Sequence, residues 1–116
     1  MALTYEEIFE YFNETYNDFK EDEKMDSEEA IERTFGEYET VLNQSESKKA
    51  IVYTAYGELL ISLPKIYRNS KNNLVETLKH LNSDLIQQEL TRDQYVGLFS
   101  RIGKILHEIE EKRLYD

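Results

Sequence analysis

The side chains with chemistry to offer are mostly acidic: 24 Asp and Glu, nine Tyr and two His, with no Cys. Carboxylates can hold a metal, share a proton or attract a cation, and each use demands its own spacing. A di-metal helical bundle draws on two Glu-x-x-His pairs and two further carboxylates. Here His80 follows Glu76 by four residues and His107 stands apart from both. A calcium loop alternates its ligands around Gly at the sixth position and Glu at the twelfth, a pattern that the acidic run Asp18 to Glu29 does not follow. Without cysteine there is neither a thiolate site nor a disulfide. No metal and no cofactor is expected.

Catalysis needs particular groups brought together, and an abundance of acids singles out no pair for hydrolysis. The four glycines, at 36, 57, 97 and 103, form no phosphate loop and no nucleophile elbow. No catalytic residue is expected, and the chain reads as a binding protein.

The charge points to the kind of partner. Residues 1–46 carry 15 Asp and Glu against 3 Lys and Arg, net −12, whereas residues 47–116 carry 9 against 11, net +2. Such a field draws a cationic partner to one end of the molecule. It repels nucleic acid, because carboxylates release no counterions from phosphates. Lys65, Arg68, Lys71 and Lys79 read as a solvated basic stretch. No apolar run reaches the roughly 20 residues that a bilayer requires, and the amphipathic opening MALTYEEIFEYF is unlike a secretion signal. Neither nucleic acid nor membrane is an expected partner, and a cytoplasmic protein is expected.

At 116 residues, with 40% apolar residues, the chain suits one helical domain spanning 1–116. Thr4-Tyr5-Glu6-Glu7 has the pattern of a capping box and starts a first helix near Tyr5. At 100° per residue, Tyr5, Ile8, Phe9, Phe12, Tyr16 and Phe19 fall within about −60° to +40°, one apolar stripe. Asp26-Ser27-Glu28-Glu29 offers a second box. The helix it opens carries Ala30, Ile31, Thr34, Phe35, Tyr38, Val41 and Leu42 on one face and ends at Asn43.

Ser45 or Ser47 caps a third helix, apolar most of the way round through Ala50 to Leu63, with Pro64 as terminator. That distribution belongs to a central helix. The β-branched Ile51, Val52 and Ile61 leave a strand open, but the length and caps favour helix. Pro64 to Asn73 reads as a connection, with Ile66 and Tyr67 tucked onto the core. Leu74, Val75, Leu78 and Leu81 mark a fourth helix, Asn82-Ser83-Asp84 interrupts it, and residues 85–90 add a turn or two. Thr91-Arg92-Asp93-Gln94 is a third box, with Leu90 and Tyr95 in staple positions. The last helix buries Tyr95, Leu98, Phe99, Ile102, Ile105, Leu106 and Ile109. An all-α antiparallel bundle of four main helices, of 12 to 20 residues, plus one or two short ones follows. Gly57 and Gly103 fall inside helices, where a close approach of two helices is the reading for both.

First-turn acids such as Glu6, Glu7, Glu28 and Glu29 serve helix dipoles. The others on these helices have no such role. Tyr11 lies at about 240° on the first helix, between Glu7, Glu14 and Asp18 and outside the apolar stripe. An exposed tyrosine among carboxylates suits an interface, where its ring is buried and its hydroxyl finds a partner. Packing of Tyr11 against a neighbouring helix is the alternative, and for Tyr53 and Tyr56 core packing is preferred. The partner-binding residues expected from this geometry are Tyr11, Glu14, Asp18, Glu32, Glu39, Tyr53 and Glu58.

Several strings resemble a known family: Tyr5-Glu6-Glu7-Ile8-Phe9-Glu10-Tyr11, Glu29-Ala30-Ile31-Glu32-Arg33, Ala50-Ile51-Val52-Tyr53 with Gly57-Glu58-Leu59-Leu60, and Leu90-Thr91 to Tyr95. Together they resemble the third numbered immunity family of bacterial polymorphic toxin systems, an all-helical family. The resemblance implies a cytoplasmic protein that binds the C-terminal domain of a cognate secreted toxin and blocks it. Many such toxins are nucleases with basic surfaces, which an acidic inhibitor would meet with complementary charge. A non-catalytic helical adaptor in a bacterial complex is the alternative, and a small carboxylate-dependent enzyme is a third.

Overall fold

The computed structural model describes residues 5–39, 44–62 and 68–114, without the side chains of 5, 68–71 and 112–114. These residues form six helices and no strand: α1 (Tyr5–Glu21), α2 (Ser27–Glu37), α3 (Glu46–Ser62), α4 (Arg68–His80), α5 (Ser83–Glu89) and α6 (Arg92–Leu114). The all-α expectation holds. The 7-residue α5 is the short helix expected after Asn82-Ser83-Asp84, while α2 at 11 residues and α6 at 23 fall outside the 12 to 20 expected of the main helices.

Local chemistry sets most helix starts. The Asp26 carboxylate accepts the Glu29 N–H at 2.8 Å and opens α2. Ser45 accepts from Lys48 N–H at 3.2 Å and opens α3, which settles the choice between Ser45 and Ser47. Asn82 takes the N–H groups of Asp84 and Leu85 and opens α5. At α6 the box closes in both directions: Gln94 N–H donates to Thr91 Oγ1 and Thr91 N–H to Gln94 Oε1, each at 3.2 Å. Thr4 lies outside the described residues, as do Val41, Leu42, Leu63, Pro64, Ile66 and Tyr67.

Two boundaries differ from expectation. Helix α2 stops at Glu37 and not at Asn43: Tyr38 is its C-cap, with φ −101° and ψ 3°, and turns its N–H back to Phe35 and Gly36. Helix α4 starts at Arg68, so residues 68–73 are helix and not connection. Asn, Ser and Lys are only weakly disfavoured in helices. A polar stretch therefore leaves no stop signal when the apolar face behind it nucleates the turn.

Helix α3 is the hub and packs against each of the other five helices. Its buried residues, among them Ala50, Val52, Thr54, Ala55, Gly57 and Leu60, face several directions, as a helix apolar most of the way round requires. The Thr54 hydroxyl donates to Ala50 O at 2.6 Å and is satisfied within its own helix. Gly57 sits where α3 meets α4 and α6. A Cβ built there would lie 2.9 Å from Ile105 Cγ2 and 3.3 Å from Leu74 Cδ2. At Gly103 the expectation of a close approach fails: nothing lies within 4 Å of an added Cβ, and the residue faces outward. It is the position on the helix, not the glycine itself, that decides whether helices meet there.

On α1, Ile8, Phe12 and Tyr16 are buried and Phe9 and Phe19 partly so, as the stripe predicts. The helix is left through Lys24 at φ 58°, a left-handed conformation that costs a side-chain-bearing residue roughly 1 kcal/mol. Met25 N–H then returns to Phe19 O at 3.1 Å.

Candidate partner-binding surface

Five aromatic rings cross from α1 to α3 through α2. Tyr38 stacks on Phe12 with centroids 5.1 Å apart, and Phe12 faces Tyr56 at 6.4 Å. Tyr56 meets Phe35 at 4.7 Å, and Phe35 meets Tyr53 at 5.5 Å. Within this series Phe12 and Tyr56 are core, Phe35 is partly buried against it, and the two ends, Tyr38 and Tyr53, are half-buried. Ring pairs at these separations are favourable beyond the area they bury, so the phenols at each end stand on a firm base.

Carboxylates act on both phenols. Burial raises the pKa of Tyr38 above the usual tyrosine range, and the charges of Glu14 and Glu37 add to it with a contribution from Tyr11, while a hydrogen bond with Thr15 opposes the rise. Burial likewise raises Tyr53, and Glu39 adds to it. Thr15 donates its own hydroxyl proton to Tyr11 O at 2.7 Å. Tyr11, 52% exposed, is a large aromatic left in solvent beside Tyr38.

Three of the seven expected residues are therefore neighbours of this pair of phenols, Tyr11 and Glu14 at Tyr38 and Glu39 at Tyr53, and a fourth, Tyr53, is one of the pair. Asp18 is exposed on the Tyr11 face of α1, seven residues and about 10 Å further along the helix. Glu32 lies on the outer face of α2, in an open depression with Glu29, Arg33, Gly36 and Glu37. Glu58 is half-buried and turned toward α6, where Arg101 bridges it and Glu6 of α1, each at 3.7 Å.

Tyr38, Thr15 and Glu37 belong to this surface, although sequence reasoning did not select them. Tyr38 has helical spacing with Ala30, Ile31 and Thr34, which assigns it to the core. Its position as C-cap, between Glu37 and Glu39, carries the phenol to the rim. Flanking carboxylates at the end of an apolar face were the available signal.

A second concavity lies between the first turn of α3, the end of α4 and α5, lined by Glu46, Lys49, Glu76, His80, Asn82 and Leu85 among others. His107 contacts Glu111 at 3.2 Å within α6. Among the described residues no group of three or more His, Cys, Asp or Glu converges as metal ligands would, and no helix is long and apolar enough to cross a membrane.

Comparison with known proteins yields one family: the model described as immunity protein Imm3 matches residues 1–115. No curated protein and no solved structure matches the chain.

Proposed function

The chain belongs to the Imm3 immunity protein family, and from that premise we propose that it neutralises a cognate toxin by binding it through the acidic, tyrosine-bearing surface at Tyr38 and Tyr53. The observation that supports this reading is the juxtaposition of exposed Tyr11 with half-buried Tyr38 and the carboxylates Glu14 and Glu37, with Glu39 acting on half-buried Tyr53 at the other end of the aromatic series. Tyrosines lose little conformational entropy on binding and favour the centre of interfaces. Carboxylates around them favour a basic partner and speed its approach.

A nuclease is the toxin class that this chemistry fits, because its substrate surface must be basic. The inhibitor would occupy that surface or one beside it, in the cytoplasm, without cofactor or catalysis. Protection against a catalyst requires very little free toxin. A dissociation constant of about 1 nM or tighter is expected, roughly −12 kcal/mol.

Co-expression with the toxin domain encoded beside this chain tests the reading, scored by rescue of growth and by isolation of a stable complex. Rescue by the intact chain, lost with the combined Tyr11→Ala, Glu14→Ala and Asp18→Ala variant, supports the surface. Full rescue by that variant at physiological salt removes α1 from the interface.

A further inference from the structure

Helix α6 carries two apolar seams, and this chain fills one of them. Leu98, Ile102, Ile105 and Ile109 are buried against the rest of the bundle. A second seam runs through Arg92, Val96, Phe99, Gly103, Leu106 and Glu110, about 110° round the helix from the first. Its spacing alternates four and three residues, the repeat of a helix that pairs along its length with another. Val96 is 56% exposed, Phe99 and Leu106 are only partly buried, and an added Cβ at Gly103 would meet nothing within 4 Å.

The second seam is complementary to itself when reversed. With a two-fold axis at Arg101, an antiparallel copy sets its Glu110 opposite Arg92, its Leu106 opposite Val96 and its Gly103 opposite Phe99. The bare turn at Gly103 then receives a ring that is already held in place, since Phe99 packs on Tyr95 with centroids 4.7 Å apart. Arg92 is exposed and makes no ion pair among the described residues. Glu110 keeps 54% of its side chain exposed even beside Lys79 at 3.4 Å. A parallel copy would set Arg92 on Arg92 and Glu110 on Glu110, and would leave a gap where two Gly103 residues met. Net charge favours this half of the chain as well: residues 47–116 carry +2, whereas two copies of the −12 segment 1–46 would repel.

We infer that the chain self-associates through α6, as an antiparallel two-fold pair in which Phe99 of each copy fills the Gly103 notch of the other and Arg92 of each pairs with Glu110 of the other. A two-fold contact of this kind uses the same patch on both copies. The seam spans only about 27 Å of helix, small beside the roughly 1,200 Å² of a stable interface. A dissociation constant of about 10–100 μM is therefore expected. The inference stands apart from the immunity reading and uses none of the residues of the tyrosine surface.

Sedimentation equilibrium of the full chain, without toxin, tests it. Arg92→Glu and Glu110→Arg should each weaken the dimer about tenfold or more, because each sets like charges opposite one another. Together in one chain they should restore it. Both sites are exposed, and the melting temperatures of the variants at low concentration should stay within a few degrees of wild type. The chain contains no cysteine, so Val96→Cys mixed with Leu106→Cys should give a disulfide-linked dimer on oxidation, and neither variant alone should do so. A wild-type chain still monomeric at about 1 mM overturns the inference. So does a dimer that Arg92→Glu leaves unchanged, or that the double exchange fails to restore. Arg92→Glu that spares self-association and weakens a toxin complex instead would give the seam to the toxin.

Discussion

The Glu89 carboxylate of α5 accepts the Ser47 N–H at the start of α3, 2.8 Å away and 42 residues distant in sequence. It therefore acts as a cap supplied by another helix, and it ties the two ends of the central packing together. The Ser47 backbone donor is the main cause of a Glu89 pKa below the usual glutamate value, with the Ser47 and Ser45 hydroxyls assisting. A depressed folded-state pKa means that the contribution is complete above the unfolded value, about 4.3. It is lost as pH falls through the lower folded value. Wild type should thus lose stability below about pH 4.5 more steeply than Glu89→Gln, and denaturant midpoints at pH 7 and pH 3.5 measure the difference. At pH 7, Glu89→Ala should cost about 1 kcal/mol, as loss of a helix cap does.

Two glycines within helices should respond oppositely to the same methyl group. Gly57→Ala forces a carbon to 2.9 Å from Ile105 Cγ2, and crowding of this kind costs about 1–3 kcal/mol. Gly103→Ala meets open space and should stabilise by up to about 1 kcal/mol through helix propensity. Thermal unfolding of both variants decides the matter. A stabilised Gly57→Ala would show that α3 is free to withdraw from α6.

Tyr16 is buried, and its hydroxyl has no hydrogen-bond partner among the described residues. An unsatisfied buried polar atom opposes folding by about 1–3 kcal/mol. Tyr16→Phe should accordingly match or exceed wild-type stability in urea. Phe12→Ala, by contrast, removes the ring shared by Tyr38 and Tyr56 and should cost about 3–5 kcal/mol.

Glu58 offers a test that separates structure from recognition. Its ion pair with Arg101 is loose at 3.7 Å, and the Arg101 side chain is 44% exposed, so the pair is worth about 0–1 kcal/mol. Glu58→Gln should leave the melting temperature within a few degrees of wild type. A fall in toxin affinity of tenfold or more, measured by calorimetry, would then assign Glu58 to the interface; unchanged affinity would leave it a bridge between α3 and α6.

Where the chain advertises its structure, it does so through periodicity and caps. Phe12, Ile31 and Ile102 are buried as their 3.6-residue spacing demands, and the Thr91 and Gln94 box closes as the string of residues implies. The end of α2 and the start of α4 were illegible because neither carries a breaker: Tyr38 can continue a helix, and Asn69, Ser70 and Lys71 can begin one. The surface was half legible. Tyr11 and Glu14 stand out on a helical projection, since nothing apolar accompanies them. Tyr38 does not, because its role depends on which helix lies across from Phe12, and spacing within one segment carries no such information.

The placement of α3 has a bearing on synthesis. Residues 5–37 form α1 and α2, and the chain up to that point lacks Tyr53 and Tyr56. Those rings, together with Ala50 and Leu60, cover the apolar faces of the hairpin only when α3 docks. On the ribosome, the acidic hairpin therefore emerges before the helix that gives it shape. A chain ending before Tyr53 keeps the acidic residues of α1 and α2 but lacks the rings that pack against Phe12 and Phe35.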